Sequence, residues 1–199
     1  WMPDGETLVV ANGGIRTEAE SRIEMNLDAM QPSLVMMQRD GTLLSKECLE
    51  QPMNSVRHLA IGSDDTVFAC QQFMGPAHES APLLAVKRPG QPFEAFPVSM
   101  TQLQSMGHYT ASVAVHSELR LVALTAPRAN RFFIWDMDSG AVRHDGTLPD
   151  CAGVGAVDDG FVVTSGQGRC RHYDCRAAQL VGTPLQLPSG LWDNHLYLA

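Results

Sequence analysis

Nothing in this sequence approaches the run of about 18 apolar residues that a membrane-spanning helix needs, and no basic segment followed by an apolar one opens it. No membrane span is expected. Basic residues are also few: 14 Lys and Arg stand against 22 Asp and Glu, a formal charge of -8. Such an acidic surface repels a phosphate backbone, which excludes nucleic acid as a natural partner. The five cysteines (Cys48, Cys70, Cys151, Cys170, Cys175) contain no CxxC spacing, so a zinc ribbon or thioredoxin motif is excluded. They are read as small buried hydrophobes, with a Cys151–Cys170 or Cys170–Cys175 bridge as the alternative. Disorder is excluded by a 44% hydrophobic content.

What the sequence has in quantity is chain punctuation: 17 Gly and 12 Pro, about one residue in seven. That density suits many short strands better than long helices. Four times along the chain, period-two apolar runs alternate with polar turns. The strongest copy runs from Tyr109 to Leu148: TASVAVHSELRLVALTAP supplies two strands around Ser117-Glu118, and RFFIWDMDSGAVRHDGTL two more around the Asp138-Ser139-Gly140 turn. CAGVGAVDDGFVVTSGQGRCRHYDCRAAQLVGTPLQL follows with the same order, and SVRHLAIGSDDTVFACQQ with APLLAVKRPGQPFEAFPV precedes it. Earlier still, DGETLVVANGG and PSLVMMQRDGTLLSKECL form a copy without its first strand. The second strands start near Leu8, Val67, Leu121 and Phe161, in steps of 59, 54 and 40.

Four strands per period of about 40 to 50 residues is the pattern of a β-propeller blade. The expectation is an all-β β-propeller chain holding about four four-stranded blades, over residues 1–50, 51–100, 101–150 and 151–190, with a closing strand at 191–199. A β-sandwich is the runner-up, but does not predict the recurring order. The opening Trp1-Met2-Pro3-Asp4-Gly5 has no initiator methionine, and its Asp-Gly turn implies a preceding strand. The chain therefore reads as the C-terminal part of a longer protein, needing further blades or another chain to complete a ring. Trp192 and Leu196 are expected to be buried in a sheet. Residues 17–30 carry Ala19, Ile23, Leu27 and Met30 at helical spacing behind a Thr17/Glu20 capping box, so a short helix or an irregular loop is expected there.

ETLVVANGGIRT, SRIEMNLDAMQPSL, RHLAIG, PLLAV, TAPRAN, VVTSGQG and WDNHL together resemble, in order and over nearly the whole chain, the bacterial family of domain of unknown function 1513. The resemblance implies a seven-bladed periplasmic propeller, often encoded near iron-uptake proteins, and no established activity.

In a blade, the loops joining second to third strands and those leading into first strands share one face around the central channel. That position selects Asn12, Arg22, Asn26, His58, Gln71, His108, Arg128 and Ser165 as ligand-binding candidates. Amides, hydroxyls and arginines over a channel can orient a polar or anionic ligand. The competing reading is that they satisfy loop carbonyls. Asn12-Gly13-Gly14 fits a tight turn with positive φ rather than a phosphate cradle, since no GK[ST] helix follows. His78-Glu79 lacks the second histidine of a HExxH motif, and Pro82 would stop its helix. His58, His108 and Glu79 could still converge on iron or zinc. VTSGQG lacks the GxSxG elbow. The expectation is a non-enzymatic periplasmic propeller binding a small polar ligand or a protein partner, in a metal-handling context, with cofactors unknown. A metal-dependent hydrolase of the propeller lactonase type is the alternative.

Overall fold

The computed structural model describes residues 1–21, 23–186 and 190–196. These form four antiparallel sheets, one of three strands and three of four. The first holds β1 (Thr7–Asn12), β2 (Ser33–Gln38) and β3 (Leu43–Glu47). The second holds β4 (Asn54–Ile61), β5 (Val67–Phe73), β6 (Leu84–Lys87) and β7 (Phe93–Ala95). The third holds β8 (Val113–His116), β9 (Leu121–Ala126), β10 (Arg131–Asp136) and β11 (Val142–Thr147). The fourth holds β12 (Cys151–Val157), β13 (Gly160–Ser165), β14 (Cys170–Asp174) and the short β15 (Thr183–Pro184). In each sheet the strands lie in chain order, so each is a meander. The first sheet lacks the strand that β4, β8 and β12 supply to the others.

Strand alternation builds the core. Period-two patterning sends successive side chains to opposite faces, so each middle sheet is apolar on both. Phe68 and Cys70 of β5 meet Val122, Leu124, Phe133 and Trp135 of the third sheet. On the other face of β9 and β10, Leu121, Ala123, Phe132 and Ile134 meet Phe161 and Val163 of the fourth. Val67 and Ala69 meet Val9 and Leu34 of the first. Along the inner edges, β1 touches β4, β4 touches β8 and β8 touches β12, so the sheets fan about that side.

Antiparallel order sorts the connections onto two rims. Short turns, such as 62–66, 117–120 and 158–159, lie on one; the longer loops 13–32, 74–83 and 96–112 lie on the other. The described residues of 17–30 take the loop form. Thr17 pairs with Glu24 in an isolated bridge, residues 19–20 form a turn, and Leu27–Ala29 form a short 3-10 helix. Ile23, at 63% exposure, has no core to pack against, so the helical spacing finds no surface to make it amphipathic. A capping box does form elsewhere, with Ser99 and Gln102 opening α1 (Met100–Gln104). All five cysteines are free thiols, four of them buried and Cys48 exposed. Burial pushes the Cys70 and Cys151 thiols up to about 12, so they behave as hydrophobes.

Residues 190–196 form no ladder. Trp192 and Leu196 are half-buried outside any strand, against the expectation of burial in a sheet. The segment lies at the inner edges instead, close enough to β12 that a Cβ on Gly153 would stand 2.8 Å from the Leu196 Cβ. Residues 197–199 of the expected closing strand lie outside the described residues.

Candidate functional site at the inner edges

A cavity of about 470 Å³ opens where β1, β4 and β8 approach one another, lined by Arg57, His58, Ser112, Val113, Asn194 and His195 among others. β4 delivers the first pair. A register shift between Val56 and Leu59 breaks its pairing with β5, so Arg57 and His58 sit at an irregularity where alternation is relaxed. Arg57 is exposed, and its Nη2 donates to the Gln72 Oε1 at 2.8 Å. That partner is uncharged and leaves the guanidinium charge uncompensated. His58 is half-buried, and burial, followed by the neighbouring His195 and Arg57, holds its pKa below the ordinary imidazole value against an opposing pull from Asp193. The two imidazole centroids are 4.2 Å apart at 38°.

The loop from β7 to β8 delivers Tyr109, which pairs with Gln72 as an isolated bridge. Its hydroxyl accepts from Asn194 Nδ2 at 3.1 Å, and the Arg128 guanidinium lies 4.8 Å over its ring. Burial raises the Tyr109 pKa, while Arg57 and Arg128 oppose that shift. Among the described residues neither arginine forms an ion pair. The result is a cavity lined by one guanidinium and two imidazoles, with the Asp193 carboxylate near His58 and the Arg128 guanidinium over the Tyr109 ring.

Of the residues selected from sequence, His58 lines this cavity, while Arg128 lies over the Tyr109 ring outside its lining. Asn12 and Asn26 hold the 13–32 loop: Asn12 Oδ1 accepts from the Gly14 N–H at 3.2 Å, and Asn26 bonds the Arg16 N–H and the Gly14 carbonyl. Gly14 has φ +70, the positive value expected of that turn. Ser165 Oγ donates to the Pro149 carbonyl at 2.6 Å and accepts from the Gln167 N–H. Gln71 is fully buried with neither amide atom hydrogen-bonded. His108 packs edge-on against Phe73 at 5.3 Å, and Glu79 is exposed on the 74–83 loop. With His58 they do not converge, and no three His, Cys, Asp or Glu among the described residues group as a metal site requires. Arg22 lies outside the described residues. Arg57, Tyr109, Asn194 and His195 were not singled out from sequence; Arg57, adjacent to His58, was the one with a signal.

A second cavity, of about 480 Å³, lies on the turn rim beside His116, Glu118, Asp158 and Arg176. Several of its polar groups are already paired. Arg176 meets Glu118 at 3.2 Å, His116 Nε2 meets the Asp158 carbonyl at 3.2 Å, and His116 Nδ1 accepts from the Leu119 N–H.

A family described as protein of unknown function, DUF1513, matches residues 1–199. The chain belongs to that family. No curated protein matches it. Among solved structures it is similar to U3-55K, at 13% identity and a TM-score of 0.66 over 96% of this chain and 52% of that one. It is also similar to the RRP9 WD40 repeats (12% identity, TM-score 0.60, 91% of this chain and 48% of that one). Sqt1 of Saccharomyces cerevisiae matches at 15% identity and a TM-score of 0.56, over 88% of this chain and 57% of that one. The fold of this DUF1513 member is therefore propeller-like, its sheets corresponding to blades. The chain spans about half the length of the structures it matches.

Proposed function

We propose that this DUF1513 chain is a non-enzymatic binding module whose inner-edge cavity takes a small anionic ligand. The observation that carries the reading is the pair of arginines, Arg57 and Arg128, set around Tyr109 without a carboxylate partner. A guanidinium offers planar, bidentate donors to an oxyanion. Ser112 lines the same cavity, and its Oγ accepts from the Val154 N–H. Calorimetric titration of the protein with inorganic oxyanions tests this reading. Saturable binding that Arg57→Met and Arg128→Met each weaken at least tenfold is the expected result. Turnover of a lactone with a bound metal ion would overturn the non-enzymatic assignment.

The protein acts in the periplasm, in a metal-handling context, on the strength of the family resemblance; fractionation of cells expressing the full-length protein checks the compartment. The ring is completed by further blades. This is supported by the half-length match to propeller structures and by the open face of the first sheet, where Leu8 and Val10 pair with Met37 and Val35, all half-buried. Residues 1–199 alone should self-associate through that face in light scattering, and a fully monomeric species would contradict this.

A further inference from the structure

The inner-edge cavity holds not only Arg57 but two imidazoles in contact. His58 comes from β4 and His195 from the 190–196 segment, 137 positions apart in sequence, and their rings meet at 4.2 Å. Two neutral rings tolerate that contact, whereas two cations would repel. A neutral imidazole also offers one donor and an imidazolium two.

We propose that the site takes a small multivalent oxyanion, and that the His58–His195 pair takes up a proton as it binds. This rests on the anion reading of the same cavity. Every charged or titratable group facing the pair enters the balance. Arg57 on β4 opposes a proton on the pair, and Asp193, two residues before His195, favours one. One guanidinium against one carboxylate leaves the empty site near neutrality. A dianion makes it negative, so the charged imidazole becomes the favoured form once it is seated. Burial of His58, which disfavours its charged form in the empty site, makes the coupling larger. By linkage, anion affinity rises as the pH falls through the imidazole range. Sulfate or phosphate groups and di- or tricarboxylates share this chemistry.

The test is calorimetric titration with sulfate and with oxalate, both dianions throughout pH 5.5 to 7.5, in buffers of different ionisation enthalpy. About tenfold tighter binding at pH 5.5 than at pH 7.5, with net uptake of up to one proton, is expected for whichever anion the site prefers. That preference separates a phosphate-like from a carboxylate ligand. His58→Gln with His195→Gln should leave binding weaker and flat with pH. Binding with no proton uptake by the unmodified protein would overturn this inference and leave the anion reading standing. Failure of both anions to bind at either pH would overturn the two together.

Discussion

The two rims of the fan are built from the same meander and differ in what their side chains are doing. On the turn rim, carboxylates close on their own backbones. Asp64 accepts from the Thr66 N–H, Asp136 from Ser139 N–H and Oγ, and Asp174 from the Arg176 and Ala177 N–H groups. Arg120 then ties neighbouring sheets together, reaching Asp64 at 2.6 Å and Asp138 at 2.5 Å. On the loop rim Asn12, Asn26 and Ser165 do similar work, but among the described residues Arg57 and Arg128 form no ion pair. Arg120 and its aspartates are engaged with one another on one rim, whereas Arg57 and Arg128 keep their charge free of a carboxylate on the other, and that surplus is where a ligand can contribute binding energy.

Trp135→Ala should be the largest blow to both rims at once. Trp135 is fully buried between the second and third sheets, stacked on Phe133 at 5.2 Å and edge-on to Phe96. Loss of about 3 to 5 kcal/mol in urea denaturation is expected. Gly14→Ala breaks the loop rim selectively: the new Cβ would stand 2.5 Å from the Pro32 nitrogen at a positive φ. About 1 to 3 kcal/mol should be lost, and the 13–32 loop should gain protease sensitivity. Arg120→Ala loosens the turn rim by less, up to about 1 kcal/mol, since its partners are substantially exposed, and high salt should shrink the difference.

Smaller still is the pH dependence between 7 and 5. Burial lowers the pKa of His58 and of His144, so the unfolded chain binds more protons in this window. Stability should be full above the ordinary imidazole value of about 6.5 and fall as pH drops from there toward the lowered folded values. Asp64 and Asp138, held low by Arg120, lose their contribution only in more acid solution, below the ordinary carboxylate range. A urea midpoint that rises between pH 7 and 5 would contradict the assignment.

Much of the fold was legible because period-two runs and Asp-Gly-type turns are local. Second strands read near Leu8, Val67, Leu121 and Phe161 begin at Thr7, Val67, Leu121 and Gly160, and the copy without a first strand is the three-stranded sheet. The 17–30 spacing left a helix and a loop both open, because spacing does not reveal whether a surface waits to receive the face. Strand position singled out His58, which lines the inner-edge cavity, and Arg128, which lies over Tyr109. Tyr109 and Asn194 are 85 residues apart, and only tertiary folding joins them. Asn12, Asn26 and Ser165 show the opposite difficulty, since an amide or hydroxyl at a strand end suits a loop carbonyl or N–H as well as a ligand.

The most direct test of the contrast between the rims is thermal melting of the unmodified protein and of Arg57→Met/Arg128→Met, each with and without saturating oxyanion. The account predicts nearly equal melting temperatures without ligand, because exposed polar truncations cost under about 0.5 kcal/mol, and a ligand-induced rise in the unmodified protein alone. A double variant that melts several degrees lower without ligand, or that keeps the ligand-induced rise, would show that these arginines hold the loop rim together and are not its binding surplus.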